Sequence, residues 1–363
     1  MIEGGMPERS QGSKYLVGFP GHIVSPADFD PSNVLMNPRE YSYEGNWLFC
    51  SFSQPDLPAA RIGFGRGKFD WRDYGLESLP VSRDAFFYRV EIVRGDGLYA
   101  CVLSDPSLGS SVQSDPARMH MALDWEDHRV FSLEGWPRSS WRFQNLDGSL
   151  RADLMLDTRN LVVWPDMLLP GNTFAMSIGT GPLSGTLELE GDRIVVDGVG
   201  FYDHPRTVIE RTGGPAFGWY LYSPVCFADG THVLSYHCRD GLGRKDSVYS
   251  QGILVRPDGR RFWLTDSTVH GLSLNAKGLP QSWQCELTGS GALVRYRVKI
   301  VELRLRTGWG DAAPDAPPGK YPALPLLMRA EGECEIGGVR FPLSNGTGIA
   351  EFVVRTGYEP VLP

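Results

Sequence analysis

Apolar and polar residues alternate in short stretches along most of the chain, a pattern that indicates β-strands with one buried face. The clearest case is 187–204, where alternation on both sides of Glu190-Gly191-Asp192-Arg193 predicts a β-hairpin. Asp197-Gly198 predicts a bulge in its second strand. Pro205 predicts that strand pairing ends after His204, because proline has no backbone N–H.

The alternation also predicts which side chains share a face of the strand. Successive side chains point to opposite faces, so Tyr202 and His204 share one face while Phe201 and Asp203 share the other. Only one of these two pairs can therefore line a given cavity.

A second hairpin is predicted around the turn Asp229-Gly230, between 218–227 and 231–240. A two-residue turn there places Ala228 opposite Thr231 and Tyr222 opposite His237. The apolar face then carries Trp219, Leu221, Val225, Phe227, Leu234, Tyr236 and Cys238. The half-polar face carries Tyr220, Tyr222, Val233, His237 and Arg239. The first face is interpreted as core or an apolar ligand surface, and the second as a cleft wall or a solvated face.

Short alternating strands with turn residues between them recur to the end of the chain, and convincing amphipathic helices are almost absent. This pattern predicts an all-β protein of sandwiches or barrels. Gly45–Ser51 resembles Gly218–Ser223, and each stretch opens a half of similar length. We therefore predict two β-barrel-like domains of short antiparallel strands, at 15–210 and 211–363, after a polar, disordered leader at 1–14.

Composition and charge narrow the class of protein. The chain is 42% hydrophobic and 21% charged, as in ordinary soluble proteins, and its net charge of −8 argues against nucleic acid or an anionic membrane as partner. No stretch approaches the roughly 20 apolar residues of a spanning helix. Six scattered cysteines lack Cys-x-x-Cys spacing and the histidines form no metal pattern. We expect a cytoplasmic protein with no metal and no integral membrane segment, and leave a weak homo-oligomer open.

One run carries a family resemblance. Gly198-Val199-Gly200-Phe201-Tyr202-Asp203-His204 is followed by the aromatic strand Trp219–Tyr222 and the turn Asp229-Gly230. This arrangement resembles the lipocalin-like double-domain family of carotenoid 1,2-hydratases, AttH-like proteins and fungal Diels–Alderases. Glu44–Phe49 is similar to the aromatic entry strand of that family.

The resemblance implies two lipocalin-like domains, no cofactor, and an apolar pocket between or within them. Family members add water to long lipophilic polyenes or cyclise them. Asp203 and His204 match the Asp-His of the family motif, whereas Arg206 and Thr207 replace its Trp-Gly. Tyr236 matches the tyrosine of a later Tyr-x-Asp, whose acid is replaced here by Cys238. This departure leaves cyclisation or isomerisation more open than carotenoid-type hydration.

Asp203 is the strongest candidate for acid chemistry. Protonating an alkene requires a carboxylic acid that burial keeps neutral. The alternative is that Asp203 accepts structural hydrogen bonds from the backbone or Arg206. His204 either relays a proton or orients water, or it packs as a core histidine. The predicted catalytic residues are Asp203, His204 and Tyr236.

Aromatic side chains dominate the predicted binding surface. The ring faces of Tyr220, Tyr222 and Tyr236 can shield a cationic or polarised polyene, although aromatic strand residues also serve as plain core. The predicted substrate-binding residues are Tyr202, Trp219, Tyr220, Tyr222, Trp47, Trp164, Arg206 and His237.

Two function hypotheses follow. The first is a cofactor-independent lyase or isomerase that folds a lipophilic polyene, isoprenoid or polyketide in an apolar pocket for cyclisation, isomerisation or hydration of a C=C bond. The second is a lipocalin-like carrier that binds a lipophilic molecule without changing it.

Overall fold

The computed structural model describes residues 22–24, 43–69, 82–105, 112–115, 120–125, 128–145, 148–169, 172–209, 217–240, 248–276, 278–305 and 324–354. Within these ranges every regular element is a β-strand. The described residues contain no helix long and apolar enough to cross a membrane. The leader predicted at 1–14 lies outside these ranges.

The first sheet has 14 strands in the described part of the chain. They are β1 (His22–Val24), β2 (Tyr43–Phe52), β3 (Ala59–Phe69), β4 (Ser82–Arg94), β5 (Gly97–Asp105), β6 (Val112–Asp115), β7 (His120–Trp125), β8 (His128–Glu134), β9 (Arg138–Gln144), β10 (Leu150–Asp157), β11 (Asn160–Leu169), β12 (Asn172–Leu189), β13 (Asp192–Ile209) and, from later in the chain, β21 (Arg304–Leu305).

The second sheet has nine strands in the described residues. They are β14 (Phe217–Cys226), β15 (His232–Asp240), β16 (Val248–Val255), β17 (Arg261–Leu264), β18 (Asp266–Leu274), β19 (Pro280–Gly289), β20 (Ala292–Ile300), β22 (Leu324–Ile336) and β23 (Val339–Val354).

Both sheets repeat one strand order. The first runs β21-β5-β4-β3-β2-β13-β12-β10-β9-β8-β7-β6, with β11 on β12 and β1 on β11, and the second runs β17-β16-β15-β14-β23-β22-β20-β19-β18. The run from β5 to β8 in the first sheet thus matches the whole second sheet, and the similar stretches Gly45–Ser51 and Gly218–Ser223 lie in the equivalent strands β2 and β14. The all-β fold class is confirmed, while the domain limits 15–210 and 211–363 stay a prediction.

Each sheet curls around its own apolar core. In the first sheet the rings of Phe64 and Phe131 meet at 4.9 Å, although their strands β3 and β8 are far apart in strand order. In the second sheet β18 lies against β15 and β16, which brings its two edges together. We call these interiors the first core and the second core.

A third cluster, the inter-sheet core, lies between the sheets. The first sheet contributes side chains that include Trp47, Phe49 and Phe201. The second sheet contributes Tyr222 and Tyr236, among others. The central strands of both sheets are therefore buried on both faces, one against their own core and the other against the opposite sheet.

The hairpin predicted at 187–204 is present, but it has no bulge at Asp197-Gly198. Strands β12 and β13 pair without a register shift from Leu189 opposite Asp192 to Asn172 opposite Ile209. Glycine is required at 198 for another reason. A Cβ atom there would lie 2.0 Å from the carbonyl oxygen of Ser51 on β2.

The prediction that pairing stops at Pro205 is wrong. Strand β13 stays paired with β12 to Ile209. Its pairing with β2 omits only His204 and Pro205 and resumes with Arg206 opposite Glu44. Because a proline removes a single donor, the loss is local when long pairing on both sides holds the strand in place.

The predicted register of the second hairpin is also wrong. The turn holds three residues, because the Phe227 N–H bonds the Thr231 carbonyl at 2.8 Å, and Cys226 lies opposite His232. Tyr222 therefore faces Tyr236 rather than His237. The extra turn residue slips the second strand by one position, which moves Leu234 and Tyr236 to the inter-sheet core and Val233 and His237 to the opposite face.

Replacing Gly198 with alanine is expected to lower the free energy of unfolding by about 1–3 kcal/mol, because the added methyl group meets backbone atoms of β2. Chemical denaturation measures the change. Val195→Ala on the same strand, where the side chain is 73% exposed, serves as the control and should cost about 0.5 kcal/mol or less. Equal effects of the two substitutions would contradict this account of Gly198.

Candidate active site

Two rows of side chains cross the face of the first sheet that packs on the second sheet. Residues directly opposite one another on β13, β2, β3 and β4 form each row. The first row is Phe201, Phe49, Arg61 and Glu91. The second row is Asp203, Trp47, Gly63 and Arg89. Aromatic and charged groups therefore lie side by side on a surface that the second sheet covers.

Gly63 leaves room for the Trp47 ring within the second row. A Cβ atom at position 63 would lie 2.7 Å from Cε3 of Trp47 and 2.3 Å from the Asn46 carbonyl oxygen. The glycine therefore leaves the space that the indole of Trp47 occupies, on the strand position opposite Asp203.

The second sheet presents a matching row of Glu351, Tyr222, Tyr236 and Gln251, from β23, β14, β15 and β16. The Tyr222 ring meets Phe49 of the first sheet at 4.8 Å. Tyr220, two residues before Tyr222, stacks on Tyr236 at 5.7 Å. The rows of the two sheets thus form one interface in which tyrosines surround acidic groups.

A buried ion cluster of Arg61, Arg89, Glu91 and Glu351 joins the sheets. Arg61 donates two hydrogen bonds to Glu91, at 2.5 and 2.7 Å, and a third from Nη1 to Glu351 Oε1. Tyr220 donates to the other Glu351 oxygen at 3.0 Å. The Nε of Arg89 lies 3.5 Å from Glu91. Two guanidinium groups and two carboxylates therefore balance within the cluster.

The two arginines respond differently to burial. Burial opposes the charge on Arg61, but Glu91 and Glu351 outweigh it, and the pKa of Arg61 is raised. For Arg89 burial prevails over the attraction of Glu91, and its pKa is lowered. Arg61 is therefore the charge that holds both carboxylates of the cluster in place.

Asp203 lies in this interface as a buried acid. Its side chain is 7% exposed, and its Oδ1 atom is buried without a hydrogen-bond partner. Burial and, second, the charge of Glu351 raise the pKa of Asp203 well above its usual range. The guanidinium groups of the cluster are already matched by two other carboxylates, which is why a third negative charge is disfavoured here.

Tyr222 brings a second buried oxygen to the same region. Its hydroxyl has no hydrogen-bond partner. Burial, followed by the charges of Asp203 and Glu351, raises the pKa of Tyr222 well above its usual range. The phenol therefore keeps its proton and can donate or accept a hydrogen bond.

The structure brings together one half of the predicted site. Asp203, Tyr236, Tyr220, Tyr222 and Trp47 all border the inter-sheet core. Their convergence depends on the three-residue turn, which puts Tyr236 on the same face as Tyr222.

Tyr202 and His204 lie on the opposite face of β13, as the alternation predicts. Tyr202 belongs to the first core and donates to Asn46 Oδ1 at 2.8 Å. The ring of His204 is nearly parallel to it at 6.1 Å, and His204 is fully buried. Neither side chain therefore faces Asp203, and the predicted catalytic role of His204 stays a prediction.

His237 points into the second core, away from Tyr236. Its ring nitrogens are hydrogen-bonded to Ser267 Oγ at 2.8 Å and Ser250 Oγ at 3.0 Å. Burial lowers the pKa of His237 to about 3, so the imidazole is neutral. Both ring nitrogens of His237 thus have serine partners, and its side chain does not lie in the interface between the two sheets.

Three predicted residues have side chains outside the described part of the structure. Trp164 lies on β11, Arg206 on β13 and Trp219 on β14. Their predicted roles in binding stay predictions.

Sequence reasoning missed the ion cluster. Arg61, Arg89 and Glu91 alternate with apolar residues on β3 and β4, a pattern that ordinarily marks a solvated strand face. The only available signal was the aromatic residues on the same face of neighbouring β2, Trp47 and Phe49, which indicate burial.

A cavity of about 900 Å³ lies elsewhere, on the second sheet. Its lining includes the exposed side chains Arg297, Lys299, Arg329 and Glu331. It is not the apolar pocket that the sequence predicts. The described residues contain no group of three or more His, Cys, Asp or Glu side chains placed to hold a metal.

Comparison with known proteins identifies the fold. No family model and no curated protein matches the chain. A solved structure assigned as AttH, from Nitrosomonas europaea, has a TM-score of 0.57 at 14% identity and covers 91% of this chain and 96% of its own. Kievitone hydratase from Nectria haematococca has a TM-score of 0.55 at 10% identity, covering 93% and 97%. CghA with Sch210972 has a TM-score of 0.47 at 12% identity, covering 93% and 99%, a weaker likeness.

The chain therefore has the lipocalin-like AttH fold along nearly its whole length. The resemblance seen in the sequence is confirmed at the level of fold.

Proposed function

We propose that this protein is a cofactor-independent enzyme of the lyase or isomerase type, which binds a lipophilic small molecule beside the inter-sheet core and acts on a C=C bond. The observation that carries the proposal is Asp203, a buried carboxyl group opposite Trp47 whose Oδ1 atom has no hydrogen-bond partner and whose pKa burial raises. Only the protonated form of a carboxyl group can deliver a proton to an alkene.

The surrounding groups suit a reaction that develops positive charge on carbon. Trp47, Tyr220 and Tyr236 offer ring faces that attract a cation. The ion cluster is neutral overall, so it adds no net positive charge to oppose carbocation formation. A positioned acid contributes about 10²–10⁴-fold to such a rate, and orientation of the bound chain contributes more.

The likeness to kievitone hydratase supports the hydratase form of this proposal, since that protein is by name a hydratase on the same fold. At 10% identity the likeness extends to the fold and not to the substrate. Water addition, cyclisation and isomerisation all remain within the proposed chemistry, because each can begin with protonation of a C=C bond.

A second candidate function is a carrier of a lipophilic ligand. The Arg61–Glu351 pair favours it, because this contact joins the two sheets and gives the buried charges a purely structural purpose. In a carrier, Asp203 would contribute to binding but not to any chemical step.

Turnover separates the two functions. Purified protein is screened by thermal shift against lipophilic polyenes and polyketides, and each stabilising compound is analysed by mass spectrometry and chromatography after incubation. A gain of one water supports a hydratase, and unchanged mass with a new retention time supports an isomerase or cyclase. Binding without product, across all stabilising compounds, contradicts the enzyme and favours the carrier.

A further inference from the structure

The geometry points to a second catalytic residue, Glu351, which we propose acts as the base that complements Asp203 as the acid. This inference rests on the proposed function. Glu351 lies directly opposite Tyr222 in the register of β23 and β14, on the face that covers Asp203 and Trp47. Nothing in the sequence motif singles it out, because it lies 148 residues after Asp203 in the chain (351 − 203 = 148).

The two carboxyl groups have different hydrogen-bond partners. Glu351 receives one hydrogen bond from Arg61 and one from Tyr220, which stabilise its carboxylate. Asp203 has neither partner, and its Oδ1 atom is unpaired. Two acids held apart in this way are the usual arrangement of an acid and a base that act on one substrate.

Both groups are also less buried than Arg61 and Glu91. The Glu351 side chain is 11% exposed, whereas the side chains of Arg61 and Glu91 are completely buried. Asp203 is 7% exposed. Glu351 and Asp203 are therefore less deeply enclosed than Arg61 and Glu91, and Arg61 holds Glu351 in place from the buried side.

The proposed step balances without any cofactor. The π electrons of the C=C bond take the Asp203 proton, which forms a C–H bond and leaves a carbocation and the Asp203 carboxylate. Either water adds to the cation and gives its proton to Glu351, or an adjacent C–H bond gives its proton to Glu351 and forms a new C=C bond. The proton then returns from Glu351 to Asp203, and the net reaction is hydration or isomerisation.

The pH–rate profile of Glu351→Gln tests the proposal, with the polyene or polyketide that the wild type converts as the probe. In the wild type the acid limb reports the base and the alkaline limb reports the acid. We expect turnover to fall about 10²–10⁴-fold, the acid limb to disappear, and the alkaline limb to move to lower pH. The alkaline limb moves because removal of the Glu351 charge makes Asp203 easier to ionise.

Infrared titration of the protonated carboxyl band of Asp203, identified by its loss in Asp203→Asn, measures the same coupling without substrate. The charged and titratable groups around it are Glu351, Glu91, Arg61, Arg89, Tyr220, Tyr222 and Tyr236. We expect this band to titrate at lower pH in Glu351→Gln than in the wild type. The exposed acid Glu331 on β22 provides the control Glu331→Gln, which should change neither profile.

Where Glu351→Gln does not fold, Tyr220→Phe removes one hydrogen bond from the carboxylate and keeps its charge. Turnover should then fall while the alkaline limb keeps its position, because the carboxylate loses a positioning hydrogen bond and keeps the charge that acts on Asp203. Wild-type turnover in Glu351→Gln, with turnover lost in Asp203→Asn, overturns the role of Glu351 and leaves the proposed function standing. Wild-type turnover in both variants overturns both roles but leaves an enzyme, whereas binding without product by the wild type overturns the proposed function itself.

Discussion

Asp203→Asn is expected to reduce turnover by about 10²–10⁴-fold while the protein remains folded. Asparagine has nearly the same size and fits the site beside Trp47, but it has no acidic proton to deliver. The substituted position lies in the inter-sheet core, where water cannot easily replace the missing acid.

The same substitution should stabilise the protein at neutral and alkaline pH, by about 1 kcal/mol. The pKa of Asp203 is higher in the folded state than in the unfolded chain. As pH rises from the ordinary range of an aspartate through this raised pKa, ionisation favours the unfolded chain and the wild type loses stability. Asparagine does not ionise. The variant should therefore be no more stable than the wild type at low pH, and its extra stability should be complete above the raised pKa of Asp203.

Product formation by mass spectrometry and thermal unfolding across pH measure these two effects in one set of samples. Asp266→Asn, at an exposed acid on β18, provides the control and should change neither. An Asp203→Asn protein with wild-type turnover would remove the acid from the proposed mechanism. A variant less stable than the wild type at alkaline pH would show that Asp203 is an ionised, paired group.

Arg61→Ala is expected to produce the largest loss of stability, about 3–5 kcal/mol, because it leaves two carboxylates buried without their main partner. Glu91 would lose both hydrogen bonds from Arg61, and Glu351 would lose the bond that joins the two sheets. Lowering the pH should restore part of the loss, since protonation removes the unpaired negative charges.

Chemical denaturation of Arg61→Ala and Arg295→Ala provides the comparison. Arg295 also donates from Nε to a glutamate, Glu286, at 2.7 Å, but both side chains are about half exposed, at 47% and 41%. Its loss should therefore cost about 1 kcal/mol or less. Where Arg61→Ala does not fold, Arg61→Lys keeps the charge and loses the paired bonds to Glu91. If Arg61→Ala and Arg295→Ala lowered the free energy of unfolding equally, the interface around Arg61 would have to be open to water.

Local pattern was sufficient to predict the strands and the faces of β13. Alternation over a few residues determines that Asp203 and His204 point to opposite sides, and this holds whatever the strand packs against. Protonation of an alkene requires a buried acid, and Asp203 is the acid of the motif, so the sequence alone also pointed to this residue. These features are local, because each depends only on neighbouring residues and the period of a strand.

The alternation of apolar and polar residues could not determine the length of the turn at Asp229-Gly230. Asp229-Gly230 is compatible with a two- or a three-residue turn, and the choice decides whether Tyr236 or His237 faces Tyr222. In the structure the Asp229 carboxylate accepts the Thr231 N–H at 2.9 Å, which helps to fix the longer turn. Packing against the first sheet then selects the tyrosine for the interface.

The chain by itself thus determined an all-β fold, two repeated halves and the faces of β13, and it predicted Asp203 as a buried acid. Only the tertiary structure decided that a second sheet covers the polar face of β3 and β4, which turns ordinary alternating charges into a buried cluster. Arg61 and Glu351 meet across 290 residues of chain. The periodicity of residues along one strand cannot reveal such a contact, because the contact arises from the way the two sheets pack together.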